Sequence, residues 1–179
     1  MRESTEFHGV RSNFVVNENG EFKDSFGSSR GLSNSQDLKK LLSLRAQSKL
    51  IITDAATAAT EQYRPSKYAP IEIWSKSGNF RGVKEQVGMA LIATADAASL
   101  LDQRKQTYQS IVLECGPTLT RVFAASRLID ELRISVVSKL DSHEAQDVAR
   151  AFADSIGLSY LRYLTSEEAP GTYFFTFRR

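Results

Sequence analysis

Ile111-Val112-Leu113 is an apolar run rich in β-branched residues and too short for a helix. Such a run reads as a strand buried on both faces, the habit of parallel sheets. Runs of the same kind at residues 49–53, 70–74 and 88–94 predict further strands, and residues 10–16 and 132–137 complete the set. Between them the period changes to that of a helix. Asn34 or Ser35 can cap a helix through Arg45 whose apolar side is Leu38, Leu41, Leu42 and Leu44. Leu119, Val122, Phe123 and Ser126 follow Pro117 at helical spacing, and proline suits a first helical position because its missing N–H would be unpaired there. Residues 95–102 predict a short helix. Asp141-Ser142-His143-Glu144 is a capping box for a helix through Ile156 that Gly157 closes. Finally, residues 158–164 and 172–177 flank a Glu-Glu-Ala-Pro-Gly turn as an antiparallel hairpin. The pattern predicts one α/β domain, residues 1–179, with a mostly parallel central sheet and an antiparallel C-terminal hairpin.

Composition narrows the function classes. Apolar residues make up 41% and charged residues 25% of 179, an ordinary soluble balance. A net charge of +2 without a basic run gives no field for nucleic acid. No apolar stretch approaches membrane-spanning length, and the polar start, MRESTEFHG, has no hydrophobic signal region, so a cytoplasmic protein is expected. One cysteine excludes an internal disulfide and a multi-cysteine zinc site. The histidines, His8 and His143, sit in polar surroundings, and no metal site is expected. There is no G-x-G-x-x-G and no P-loop.

The junctions between strands and helices carry the candidate chemistry. Glu114 places a carboxylate at a strand end, and Cys115-Gly116-Pro117-Thr118 makes the turn into a helix, where small residues let backbone N–H groups approach an anion. Cys115 is either a thiol activated by that helix or a small residue filling space. Ser75-Lys76-Ser77-Gly78 leaves another strand end and is either a polar turn or a ligand contact. Residues 26–33 form a Gly/Ser loop, a linker or the border of a site.

The stretch ECGPTLTRVFAASRLIDEL resembles the E-G-G-P-T-L … L-V-D-E-L segment of the C-terminal reductase domain of the RibD riboflavin-synthesis family. LLSLRAQSKLIITDAATAATEQY is similar to that family's L-L-R-A-x-x-D-A-I-L-x-x-x-x-T-x-x-x-[DE], and the spacing from Gly20 through Ser29, Arg45 and Thr57 to Glu61 needs no gap. The resemblance covers about residues 10–137. It implies a dihydrofolate-reductase-like three-layer αβα fold, NADPH as cofactor, a homodimer, and hydride transfer to the ribosyl C1′ of 5-amino-6-(5-phosphoribosylamino)uracil or a close analogue. By the same resemblance Ser29, Arg45, Arg64 and Glu114 contact this phosphorylated pyrimidine. Val15, Gly31, Thr57, Glu61, Ser75, Lys76, Gly116, Pro117, Thr118 and Leu119 contact the cofactor, with the pyrophosphate across the helix that Pro117 begins.

Several positions depart from the family. Asn17 and Asn19 replace a serine and an aspartate, Asp54-Ala55-Ala56 replaces G-A-G, and SKLDSHEAQDVA replaces a P-x-x-x-G-G segment. Cys115 replaces the first glycine of a pair whose peptide bond is cis in dihydrofolate reductases. No zinc deaminase motif is present. The alternative to a reductase is a diverged ligand-binding or non-catalytic member of the fold.

Overall fold

The computed structural model describes residues 7–179; the polar start read at residues 1–6 lies outside them. An eight-stranded sheet runs in the order β4-β3-β2-β5-β1-β6-β8-β7. β1 (Gly9–Asn17), β2 (Leu50–Asp54), β3 (Ile71–Ser75), β4 (Met89–Ala93), β5 (Ser110–Leu113) and β6 (Glu131–Val137) are all parallel. β8 (Thr172–Arg178) joins β6 antiparallel and takes β7 (Arg162–Ala169) on its outer side. The apolar runs of β2, β3 and β5 become buried strands because helices cover both faces, while edge strand β4 is buried only at Met89. On one face α3 (Ala97–Thr107), α4 (Pro117–Ala125) and α5 (Ser142–Ser155) close a core around Trp74, Phe123, Phe152, Phe175 and Phe177. On the other, α1 (Ser35–Ala46) and α2 (Ala55–Thr60) pack Leu44 and Ala58 over Ile51, Ile71, Ile73 and Val112. The mostly parallel sheet with its antiparallel hairpin is the one the pattern predicts, and the three layers are those the resemblance implies.

The helix ends follow their caps. Asn34 accepts from the N–H groups of Gln36 and Asp37, and Asp141 with Glu144 forms the expected capping box. α3 starts two residues later than expected because Asp96 is its N-cap, and it continues to Thr107. The hairpin also shifts. Leu158 and Leu161 are buried in the core after Gly157 turns the chain at a φ of +82°, so β7 begins only at Arg162. Glu167, Glu168 and Ala169 belong to β7, and the turn narrows to Pro170-Gly171.

At the end of the sheet where β1 and β6 begin, Glu131 is wholly buried among arginines. It accepts from Nε of Arg11 at 3.0 Å, of Arg133 at 2.6 Å and of Arg178 at 2.8 Å. Burial alone would raise its pKa, but the hydrogen bonds and charges of the three arginines hold the carboxyl below its ordinary value of 4.5.

Candidate functional site

The opposite end of the sheet, where the parallel strands finish, opens into a cavity of about 390 Å³, within the range of small-molecule sites. β5 ends by placing Glu114 in its wall, and the last turn of α1 brings Arg45 to meet it. Arg45 donates to Glu114 through Nε at 2.7 Å and Nη2 at 2.6 Å, a bidentate pair with side chains 18% and 6% exposed. Burial opposes the charge on Arg45, yet the hydrogen bond and charge of Glu114 raise its pKa above the ordinary arginine value. Tyr63 donates its hydroxyl to the same carboxylate, and its ring lies 5.5 Å from the guanidinium carbon. Burial and then the Glu114 charge push the Tyr63 phenol well above its ordinary pKa, so it stays a donor. Two residues expected to contact substrate therefore hold each other.

Asp37 lines the same cavity from the first turn of α1 and is 4% exposed. Ser33 donates its hydroxyl to Oδ2 at 2.5 Å, while Oδ1 is buried without a hydrogen-bond partner. An orphaned carboxylate oxygen beside a cavity is an acceptor for a ligand donor. Neither Asp37 nor Tyr63 stands out in the sequence. An acid in a first helical turn reads as a complement to the helix dipole. Tyr63 reaches Glu114 just after Gln62 turns the chain at a φ of +48°.

The Gly/Ser loop borders the cavity through Ser29, and Glu61 fastens it there. Glu61 accepts from the Ser29 N–H at 2.7 Å and from both serine hydroxyls, Ser28 and Ser29, and pairs with Arg30 at 3.3 Å. Val15 lines the cavity from β1, and exposed Arg64 stands at its wall. Gly31 does not line it; it lies against Asp24, whose carboxylate a Cβ there would strike. Ser75 and Lys76 leave the end of β3 away from the cavity, with Lys76 exposed and the Ser75 hydroxyl 3.5 Å from that of Ser77.

The junctions of β2 with α2 and of β5 with α4 meet side by side, since β2 and β5 are neighbours. Thr57 and Gly116 line the cavity there, while Pro117, Thr118 and Leu119 form the first turn of α4 beyond it. Asp54, the N-cap of α2, spans both junctions. Its Oδ1 accepts the Thr57 N–H at 2.8 Å; its Oδ2 accepts the Thr57 hydroxyl at 2.8 Å and the Gly116 N–H at 2.7 Å. The Cys115–Gly116 peptide is trans. Cys115 is buried, and burial followed by the charges of Asp54 and Glu114 pushes its thiol well above the ordinary value. A neutral, enclosed thiol is a space-filler, not a nucleophile. Among the described residues no group of His, Cys, Asp and Glu could hold a metal, and no helix is long and apolar enough to cross a membrane.

Strand order, helix placement and cleft together define a dihydrofolate-reductase-like α/β protein. No protein-family model and no curated protein matches the sequence. Solved structures do match. A pyrimidine reductase-like protein from Corynebacterium diphtheriae superposes with a TM-score of 0.69 at 16% identity, over 96% of this chain and 91% of that one. Dihydrofolate reductase from Enterococcus faecalis, complexed with NADP(H), gives 0.67 at 12% identity over 97% and 98%. The bifunctional deaminase/5-amino-6-(5-phosphoribosylamino)uracil reductase of Thermotoga maritima gives 0.66 at 11%, over 98% of this chain and 57% of that one. At these identities the likeness establishes the fold.

A dinucleotide is the cofactor the resemblance implies. At this junction the N–H groups of Thr57 and Gly116 already donate to Asp54, so a diphosphate reaches them only by displacing that carboxylate.

Proposed function

We propose that the protein is a reductase of a phosphorylated pyrimidine, 5-amino-6-(5-phosphoribosylamino)uracil or a close analogue, with NADPH as the reductant. The observation that carries this reading is one cavity lined both by Asp37, whose Oδ1 is unpartnered, and by the Arg45–Glu114–Tyr63 cluster, on a fold shared with a pyrimidine reductase-like protein. In it Asp37 Oδ1 accepts a ring N–H of the pyrimidine, which repairs its missing hydrogen bond. Glu114 and Tyr63 fix the plane of Arg45, whose remaining N–H groups, with exposed Arg64, meet the anionic end of the substrate. Ser29, held by Glu61, contributes a hydroxyl. Val15 and Gly31 belong to the nicotinamide end, and Ser75 and Lys76 to the adenosine 2′-phosphate. A homodimer and a cytoplasmic location complete the proposal.

Asp37→Asn tests the site directly. The substitution can keep the Ser33 contact but turns an acceptor into a donor, so pyrimidine binding should weaken about tenfold or more while thermal stability holds or rises. Unchanged binding by titration calorimetry would remove Asp37 from the site. A second reading, a ligand-binding member without turnover, is favoured by the Asp54 contacts. Pyrimidine binding without substrate-dependent NADPH oxidation would select it.

A further inference from the structure

We infer that the Asp54 carboxylate occupies the cradle of N–H groups where the β2–α2 and β5–α4 junctions meet, and that it sets the affinity of this place for any diphosphate-bearing ligand. The inference rests on the reductase reading only for the name of that ligand. Its carboxylate receives three hydrogen bonds from two neighbouring strand-to-helix junctions, all between 2.7 and 2.8 Å. α4 has no side-chain cap of its own, since its N-cap is Gly116. Asp54 supplies from β2 the acceptor that α4 lacks. A Cβ on Gly116 would lie 3.4 Å from both Asp54 Oδ2 and Thr57 Oγ1. The backbone at Gly116 therefore approaches the acid closely, and the acid fills the place that the two N–H groups face.

A diphosphate reaching the same N–H groups must break the contacts with Asp54 and then lie beside its negative charge. Both costs fall on the ligand, and like charges at close range oppose binding strongly. Asp54 is thus a specificity-determining residue: it disfavours diphosphates and leaves the pyrimidine end of the cavity untouched.

The test uses inorganic pyrophosphate followed through the amide NMR signals of Gly116 and Thr57, with NADPH binding followed by fluorescence. In Asp54→Gly both amides should shift on titration, with affinity at least about tenfold above that of the unsubstituted protein. Asp54→Asn keeps an oxygen for the Thr57 N–H and removes the charge, so it reports the same gain if the glycine variant fails to fold. Equal pyrophosphate affinity at these amides with and without Asp54, or a variant that gains nothing, overturns the inference. If pyrophosphate follows the expected order and substrate-dependent NADPH oxidation is absent from every variant, the inference stands and the reductase reading falls.

Discussion

Arg45→Ala should destabilise the fold by about 3 kcal/mol, and the pair with Glu114 explains why. The substitution strips two charged hydrogen bonds from a carboxylate that is 6% exposed, leaving it only the Tyr63 hydroxyl. Breaking one side of a buried pair costs about 3–5 kcal/mol, because the remaining charge stays desolvated. The Arg45 side chain is 18% exposed, so water admitted at its end relieves part of that cost and places the figure at the low end of the range. Glu114→Gln keeps an acceptor for both partners and should cost less, about 1–2 kcal/mol. Urea unfolding of Arg45→Met, Glu114→Gln and the double variant closes a mutant cycle, with an expected coupling of about 2 kcal/mol. A coupling below about 0.5 kcal/mol would refute the reasoning. It would return Arg45 to the role of a free cation held for the substrate's phosphate.

Glu131 governs the acid limb of stability. Its folded pKa is lowered, so its contribution is fully present above the ordinary value of 4.5 and is lost as pH falls through the lower folded value. Glu131→Gln should flatten that limb in pH-dependent urea melts and cost about 3 kcal/mol at neutral pH, where the buried Arg11 loses its neutralising carboxylate. An unchanged acid limb would show that the cluster titrates elsewhere. Cys115, buried with its thiol pKa raised, should resist alkylation in the native state at neutral pH and react only as the chain unfolds. Native labelling at the rate of a free thiol would reopen a chemical role for it.

The sequence was most informative where one local rule decides the outcome. Ile111-Val112-Leu113 has a single reading, and Asn34 and Asp141 cap the helices as their residue types require. It was least informative at β7, whose residues are almost all exposed and so carry no alternation, while Leu158 and Leu161 look like strand and serve the core. The site divides in the same way. Residues tied to a strand end, such as Glu114, could be placed from the pattern. The partner of Arg45 could not, because 69 residues separate it from Glu114. Asp54 could be seen to replace a glycine, but the direction of its carboxylate depends on β2 lying beside β5.

That same ordering of strands has a consequence for how the chain folds. β1 is the first of these eight strands to be made, yet it lies inside the sheet, between β5 and β6. Its Gly9 pairs with Ser110, and Arg11 bonds Glu131 across 120 residues of chain. Closing so long a loop costs entropy before any contact repays it, and parallel pairing of this kind folds slowly. Until β5 and β6 emerge, Val10, Phe14 and Val16 have no sheet to enter, and β6 in turn keeps an open edge until β8 arrives. Unpaired apolar strands of this kind are where aggregation begins. The vulnerable period in the life of this protein is its synthesis, and a variant that slows the docking of β1 should lose yield before it loses native stability.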